Sequence, residues 1–106
     1  MTPEQHEPLV VPEPPAPGEL LAVGREGDRV AIANVDGTFF AFQDECTHEG
    51  CSLAEGYLEG HVVECDCHGG EFDVRTGEPL GGPVHVPLKT YAVVADADGL
   101  RIELPE

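Results

Sequence analysis

All four cysteines and two of the five histidines fall in two short segments, Cys46-Thr47-His48-Glu49-Gly50-Cys51 and Cys65-Asp66-Cys67-His68-Gly69-Gly70. Each segment offers one cysteine and one histidine at ligand-like spacing, Cys46 with His48 and Cys65 with His68, which together read C-x-H-x16-C-x2-H. Two soft thiolates and two imidazoles form a metal-binding set that a zinc ion or an iron–sulfur cluster could use. Two features favour the cluster. A pair two positions apart can converge from a tight loop, and each pair mixes sulfur with nitrogen. If like ligands are sorted two and two, each loop supplies one ligand to each of two irons. A zinc ribbon would more often show C-x2-C knuckles.

With its neighbours, this pattern resembles that of the Rieske proteins, in which two histidines replace two cysteines on one iron of a [2Fe–2S] centre. The similarity runs from about Leu20 to Leu104 and is densest from Glu45 to Gly77. The resemblance implies that Cys46 and Cys65 bind the inner iron, and that His48 and His68 bind the outer one and carry electrons in and out. It also implies a fold: an all-β antiparallel sandwich or barrel base with a small two-loop cluster-binding subdomain. Cys51 and Cys67 stand where quinol-oxidising members have a disulfide between the loops, a bond that many oxygenase ferredoxins lack. The resemblance favours that disulfide; a reducing cytosol would leave two thiols instead.

The ligand set bears on the potential. Replacing two thiolates by neutral imidazoles makes the cluster less negative and so easier to reduce, giving a range of about −150 to +300 mV. Position within the range depends on hydrogen-bond donors to the sulfurs. High-potential members resemble C-P-C-H-G-S-x-Y, whereas this chain has Gly70 at the serine position and Phe72 at the tyrosine position. With both hydroxyls missing, the resemblance implies the lower half of the range. The flanks Leu53-Ala54-Glu55-Gly56, Val74-Arg75-Thr76-Gly77 and Pro87-Leu88-Lys89-Thr90-Tyr91 also look like those of oxygenase ferredoxins.

The elements that must position these residues read as strands. At 106 residues the chain is one domain, against a soft expectation of about 150 per domain. Residues 1–18 carry six of the ten prolines and read as an extended, partly disordered lead-in, with Leu9-Val10-Val11 able to pair as an edge strand. Residues 19–106 form the domain proper, its cluster-binding part at about 44–85. Strands are expected at 19–25 and 29–35, the second with Val30 and Ile32 on one face, and a turn at Glu26-Gly27-Asp28 separates them. Asp36-Gly37 is a two-residue hairpin signal, returning as the aromatic strand 38–43 whose phenylalanines read as core. Residues 52–57 read as one helical turn ended by Gly56, and 61–64 as a strand delivering Cys65. A strand at 71–74, a turn at 75–78 and a closing hairpin at 89–104 around Asp98-Gly99 complete the chain. Leu80-Gly81-Gly82-Pro83 resembles the proline loop that covers the cluster in this family, although an ordinary turn would read the same way. His6, His61 and His85 fall outside the motif and take no role, and Arg75 is expected to pair with a neighbouring carboxylate.

Twenty-one acidic against five basic residues give a net charge of −16. Such a surface repels nucleic acid and anionic membranes, and it would speed association with a basic protein partner. Solubility alone would explain it equally well. No signal peptide and no run approaching about 20 apolar residues is visible, so the expected place is the cytoplasm. No Ser-His-Asp set, phosphate loop or nucleotide fingerprint appears. The resemblance therefore implies a soluble one-electron carrier rather than an enzyme. Its partners would be a flavin- or NADH-dependent reductase and a terminal oxygenase, with the short chain leaving no room for a catalytic iron domain. The alternative is a Rieske subunit of a larger redox enzyme, similar to a nitrite reductase small subunit or to the subunit of arsenite oxidase.

Overall fold

The computed structural model describes residues 9–24, 29–45, 51–67, 69–82, 86–97 and 99–103. Among the described residues, ten strands form two antiparallel sheets. The larger holds six strands in the order β1-β10-β9-β4-β3-β2: β1 is Leu9–Val11, β2 Leu20–Val23, β3 Val30–Val35, β4 Thr38–Gln43, β9 Thr90–Asp96 and β10 Gly99–Glu103. The smaller holds β5 (Tyr57–Glu59), β6 (Val62–Glu64), β7 (Glu71–Asp73) and β8 (Pro79–Gly81), in that order. A 3₁₀ turn at Leu53–Glu55 links the two, ended by Gly56. The all-β fold expected from the sequence is the fold found. The turns expected at 26–28 and at Asp98 lie outside the described residues.

β3 is the wall between two cores. Its alternation predicts one buried face, through Val30 and Ile32, yet Ala31 and Ala33 are buried too. Val30 and Ile32 pack with Val11, Ala41, Leu100 and Ile102 inside the larger sheet. Ala31 and Ala33 face the opposite way, into a second core with Phe42, Leu53, Val63, Cys65, Phe72, Val74 and Leu88. The register explains why alanines sit there: Ala31 lies opposite Phe42 and Ala33 opposite Phe40. Small side chains beside large ones let the smaller sheet approach closely, which alternation alone does not reveal.

The β3–β4 hairpin turns at Asp36 and Gly37, with φ of 53° and 93°. Two positive φ values in succession are what a two-residue primed turn demands, and Asp-Gly meets that demand at little cost. Buried Asn34 secures both the turn and the proline-rich segment between β1 and β2. Its Oδ1 accepts from the Gly37 amide at 2.7 Å and its Nδ2 donates to the Pro15 carbonyl at 2.9 Å. At the far edge, Leu9–Val11 pairs with β10, Leu9 opposite Ile102 and Val11 opposite Leu100.

Candidate metal centre

The segment 46–50 and His68 lie outside the described residues. Among the four expected ligands the structure therefore places Cys65, while Cys46, His48 and His68 fall in the undescribed positions, as does Pro83. What can be read is how the chain holds the ends of each loop.

The first loop is closed at its base by Asp44. This carboxylate has no exposed surface, although it stands at the end of a strand where water would be its usual partner. One oxygen accepts the Ser52 hydroxyl at 2.7 Å, the other the Ala54 amide at 2.9 Å, and Arg29 Nε lies 3.5 Å away. The Asp44 carbonyl accepts the Leu53 amide at 2.6 Å, and Glu45 bridges Ser52. The residues flanking 46–50 are thus pinned together, and the buried charge is held by two hydrogen bonds and a guanidinium. The sequence reading missed Asp44. Its only signal is a charged residue directly following an aromatic strand, and nothing local says that it is buried.

The second loop closes on itself. The Cys65 amide donates to the Gly70 carbonyl at 2.8 Å, and the Gly69 amide donates back to the Cys65 carbonyl at 3.0 Å. Cys65 is 1% exposed, packed in the core that includes Phe42 and Phe72. Gly69 has φ of 74°. Gly82 presses on it from the third segment: a Cβ there would sit 2.8 Å from the Gly69 carbonyl oxygen and 2.9 Å from Gly70 Cα. Gly82 therefore lies against Gly69 and Gly70, and only glycine allows an approach this close.

Three ties join the loops. Cys51 and Cys67 form a disulfide, their Cα atoms 6.5 Å apart. Gly56 abuts the Glu64 carbonyl, where any Cβ would collide. The Tyr57 hydroxyl donates to Asp66 Oδ1 at 3.0 Å. That hydrogen bond and the charge of Asp66 push the phenol above its usual range. The Sγ atoms of Cys51, Cys65 and Cys67 all lie within 4.8 Å of one another. Charge around the second loop is negative: Glu64 and Glu71 are directly opposite across β6 and β7, and Asp66 sits between the two cysteines.

Of the three histidines outside the motif, His6 and His85 lie outside the described residues. Arg75 forks onto Asp73, with Nε and Nη2 at 3.0 and 2.9 Å, and the hydrogen bonds hold the Asp73 carboxyl below its usual value. His61 stands 3.9 Å from the same carboxylate. Phe72 is fully buried, carries no hydroxyl and packs in one core with Cys65. Gly70 is likewise buried.

The residues present fit an iron–sulfur group. A buried cysteine side chain stands on a self-closed loop whose glycine backbone Gly82 approaches more closely than any residue with a Cβ could. Residues 9–92 match the family described as Rieske [2Fe-2S] domain. Over 78 residues the chain is 55% identical to the biphenyl dioxygenase ferredoxin subunit of Pseudomonas sp. (strain KKS102), covering 73% of this chain and 72% of that one. It is 44% identical over 89 residues to the ferredoxin component of biphenyl 2,3-dioxygenase from Rhodococcus jostii (strain RHA1), covering 84% and 83%. A solved complex of reduced oxygenase and oxidized ferredoxin in carbazole 1,9a-dioxygenase contains a chain that superposes with a TM-score of 0.81 at 36% identity. That match covers 90% of this chain and 98% of the other.

Proposed function

The chain belongs to the Rieske [2Fe–2S] family, and from that premise we propose that it carries single electrons from a flavin- or NADH-dependent reductase to a terminal oxygenase acting on an aromatic ring. It carries one Rieske-type cluster, which supplies one reversible electron when bound. Cys46 and Cys65 would hold the inner iron and His48 and His68 the outer. The chain catalyses nothing itself and works in the cytoplasm. Among the described residues no helix is long and apolar enough to cross a membrane.

The observation that carries this reading is the pair of loops locked base to base over buried Cys65, in a chain whose relatives are ferredoxin components. Its residues contribute rigidity and environment. Asp44 fixes the first loop, the Cys65–Gly70 hydrogen bond fixes the second, and the disulfide spans them. A frame of this kind changes little when charge arrives, which suits rapid transfer. The core around Phe72 keeps water from Cys65. Glu64, Asp66 and Glu71 near the second loop disfavour added negative charge, as does the lack of a hydroxyl at Phe72. Both effects lower the potential. The relatives fit the carrier better than a subunit of a larger redox enzyme.

The test is iron and sulfide analysis of the purified chain, followed by a potentiometric titration read by EPR. The expected result is a reduced signal with mean g below that of all-thiolate clusters, and a midpoint near or below zero. The Phe72→Tyr and Gly70→Ser changes should raise that midpoint. A native midpoint above about +100 mV, still inside the family range, would remove the low-potential carrier. Stoichiometric zinc without iron would remove electron transfer altogether.

A further inference from the structure

Three sulfur atoms, two of them outside the expected ligand set, converge beside the second loop. The Sγ atoms of Cys51, Cys65 and Cys67 lie within 4.8 Å of one another. In zinc–thiolate sites the metal–sulfur distance is about 2.3 Å, which separates neighbouring sulfurs by about 3.8 Å in a tetrahedron and about 4.0 Å in a trigonal plane. Opening the Cys51–Cys67 bond would let that pair relax toward this spacing, with Cys65 already at hand. Three thiolates without an oxygen donor favour a soft d10 cation. We propose that reduction of the Cys51–Cys67 disulfide unmasks a three-cysteine zinc site, Cys51–Cys65–Cys67, which competes with the cluster for Cys65.

Access runs from the surface inward. Cys67 is exposed and Cys51 half-buried, so a dithiol reductant can reach the bond, whereas Cys65 lies beneath it. The reductant gives two electrons and two protons to the disulfide and itself becomes a disulfide. Zinc then displaces three thiol protons as it binds. In the oxidised chain two of the three donors are withdrawn, leaving Cys65 to the cluster. The disulfide thus guards the choice of metal as well as crosslinking the loops. The competition for Cys65 rests on the cluster reading; the convergence of the three sulfurs does not.

The experiment uses the full-length chain stripped of iron by acid and chelator, either with the disulfide intact or after anaerobic opening by a dithiol that is then removed. Zinc is added, the thiols are alkylated, and the modified cysteines are mapped by mass spectrometry over time. In the opened chain zinc should slow alkylation of Cys51 and Cys67 by about tenfold or more, as ligation withdraws the thiolates. Cys65→Ser should abolish that protection. Competition with a chromophoric chelator should show zinc held about tenfold more tightly by the opened chain than by the oxidised one. Unchanged alkylation of either Cys51 or Cys67, or protection that survives Cys65→Ser, overturns the proposal. Iron and sulfide content before stripping tests the carrier reading separately: a chain without iron that still shows zinc protection would retract the carrier and leave the zinc site standing.

Discussion

The two sheets are stabilised by different means. The larger has strands of six and seven residues in β3, β4 and β9, and it buries apolar side chains on both faces of β3. The smaller has four strands of three residues each, with Cys65 directly after β6. Strands that short bring few ladder hydrogen bonds and little apolar area. The smaller sheet is completed by borrowed burial against Ala31, Ala33 and Phe42, and by discrete ties: Asp44, the disulfide, the glycine contacts. The base thus answers to packing, while the loop-bearing end answers to single bonds. A change in the first should unfold everything, and a change in the second should loosen the site while the base survives.

The sharpest way to break that division is at the shared wall. Phe42 is fully buried and stands opposite Ala31, so no neighbouring bulk can fill the space it leaves. Phe42→Ala should cost about 3–5 kcal/mol and unfold both sheets in one transition, seen as coincident loss of far-ultraviolet circular dichroism and cluster absorbance. Separate transitions would show that the two cores are not one cooperative unit.

Replacing Cys51 and Cys67 together by serine comes next. Sixteen positions separate them, and the chain-entropy model assigns a loop of that size about 3 kcal/mol. Amide exchange should quicken in β5, β6 and β7 while β3 and β4 stay protected. Uniform quickening would place the disulfide's effect on the whole domain. Asp44→Ala should follow at about 1–3 kcal/mol, the cost of leaving the Ser52 hydroxyl and Ala54 amide unpaired in a buried place. Its signature is accelerated iron release to a chelator, with β9 and β10 unaffected.

The same division separates what could be read in the sequence from what could not. Asp36-Gly37 announced its hairpin because both φ values must be positive, and Thr38–Gln43 was legible to the residue. Leu9–Val11 pairs at the sheet edge, as its apolar triplet allowed, and Val62–Glu64 delivers Cys65. These are local signals. β5 and β8 were not found: Tyr57-Leu58-Glu59 and Pro79-Leu80-Gly81 have no period long enough to read, and tertiary pairing alone makes them strands. The second buried face of β3 was missed because alanines mark close approach only once their partner is known. Asp44 and Asn34 were missed for a related reason, since their partners lie up to 19 positions away. At the centre itself the motif outran the geometry. Four ligands could be named from spacing and resemblance, whereas the structure locates Cys65 and the frame around the rest.

The smallest expected effect contrasts two buried aspartates. Asp44 is sealed from water; Asp73, 7% exposed, shares its charge with the half-exposed Arg75. Arg75's hydrogen bonds lower the folded-state value of Asp73 below 3.8, and His61 adds a weaker pull in the same direction. A depressed carboxylate stabilises the fold above its unfolded value, and that contribution fades as pH falls through the lower, folded-state value. The Asp73–Arg75 tie should therefore be intact at neutral pH and lost only below about pH 4. Arg75→Gln should shift the acid-unfolding midpoint slightly upward, by less at high salt because the guanidinium is open to solvent. Stability at pH 7 should fall by less than it does in Asp44→Ala, because the guanidinium half of the pair is open to solvent. Urea titrations of both chains at pH 7 and pH 3 measure this directly. If Arg75→Gln proved as damaging as Asp44→Ala, exposure would not be what ranks these two ties, and the Asp73 turn would belong with the locks around Cys65.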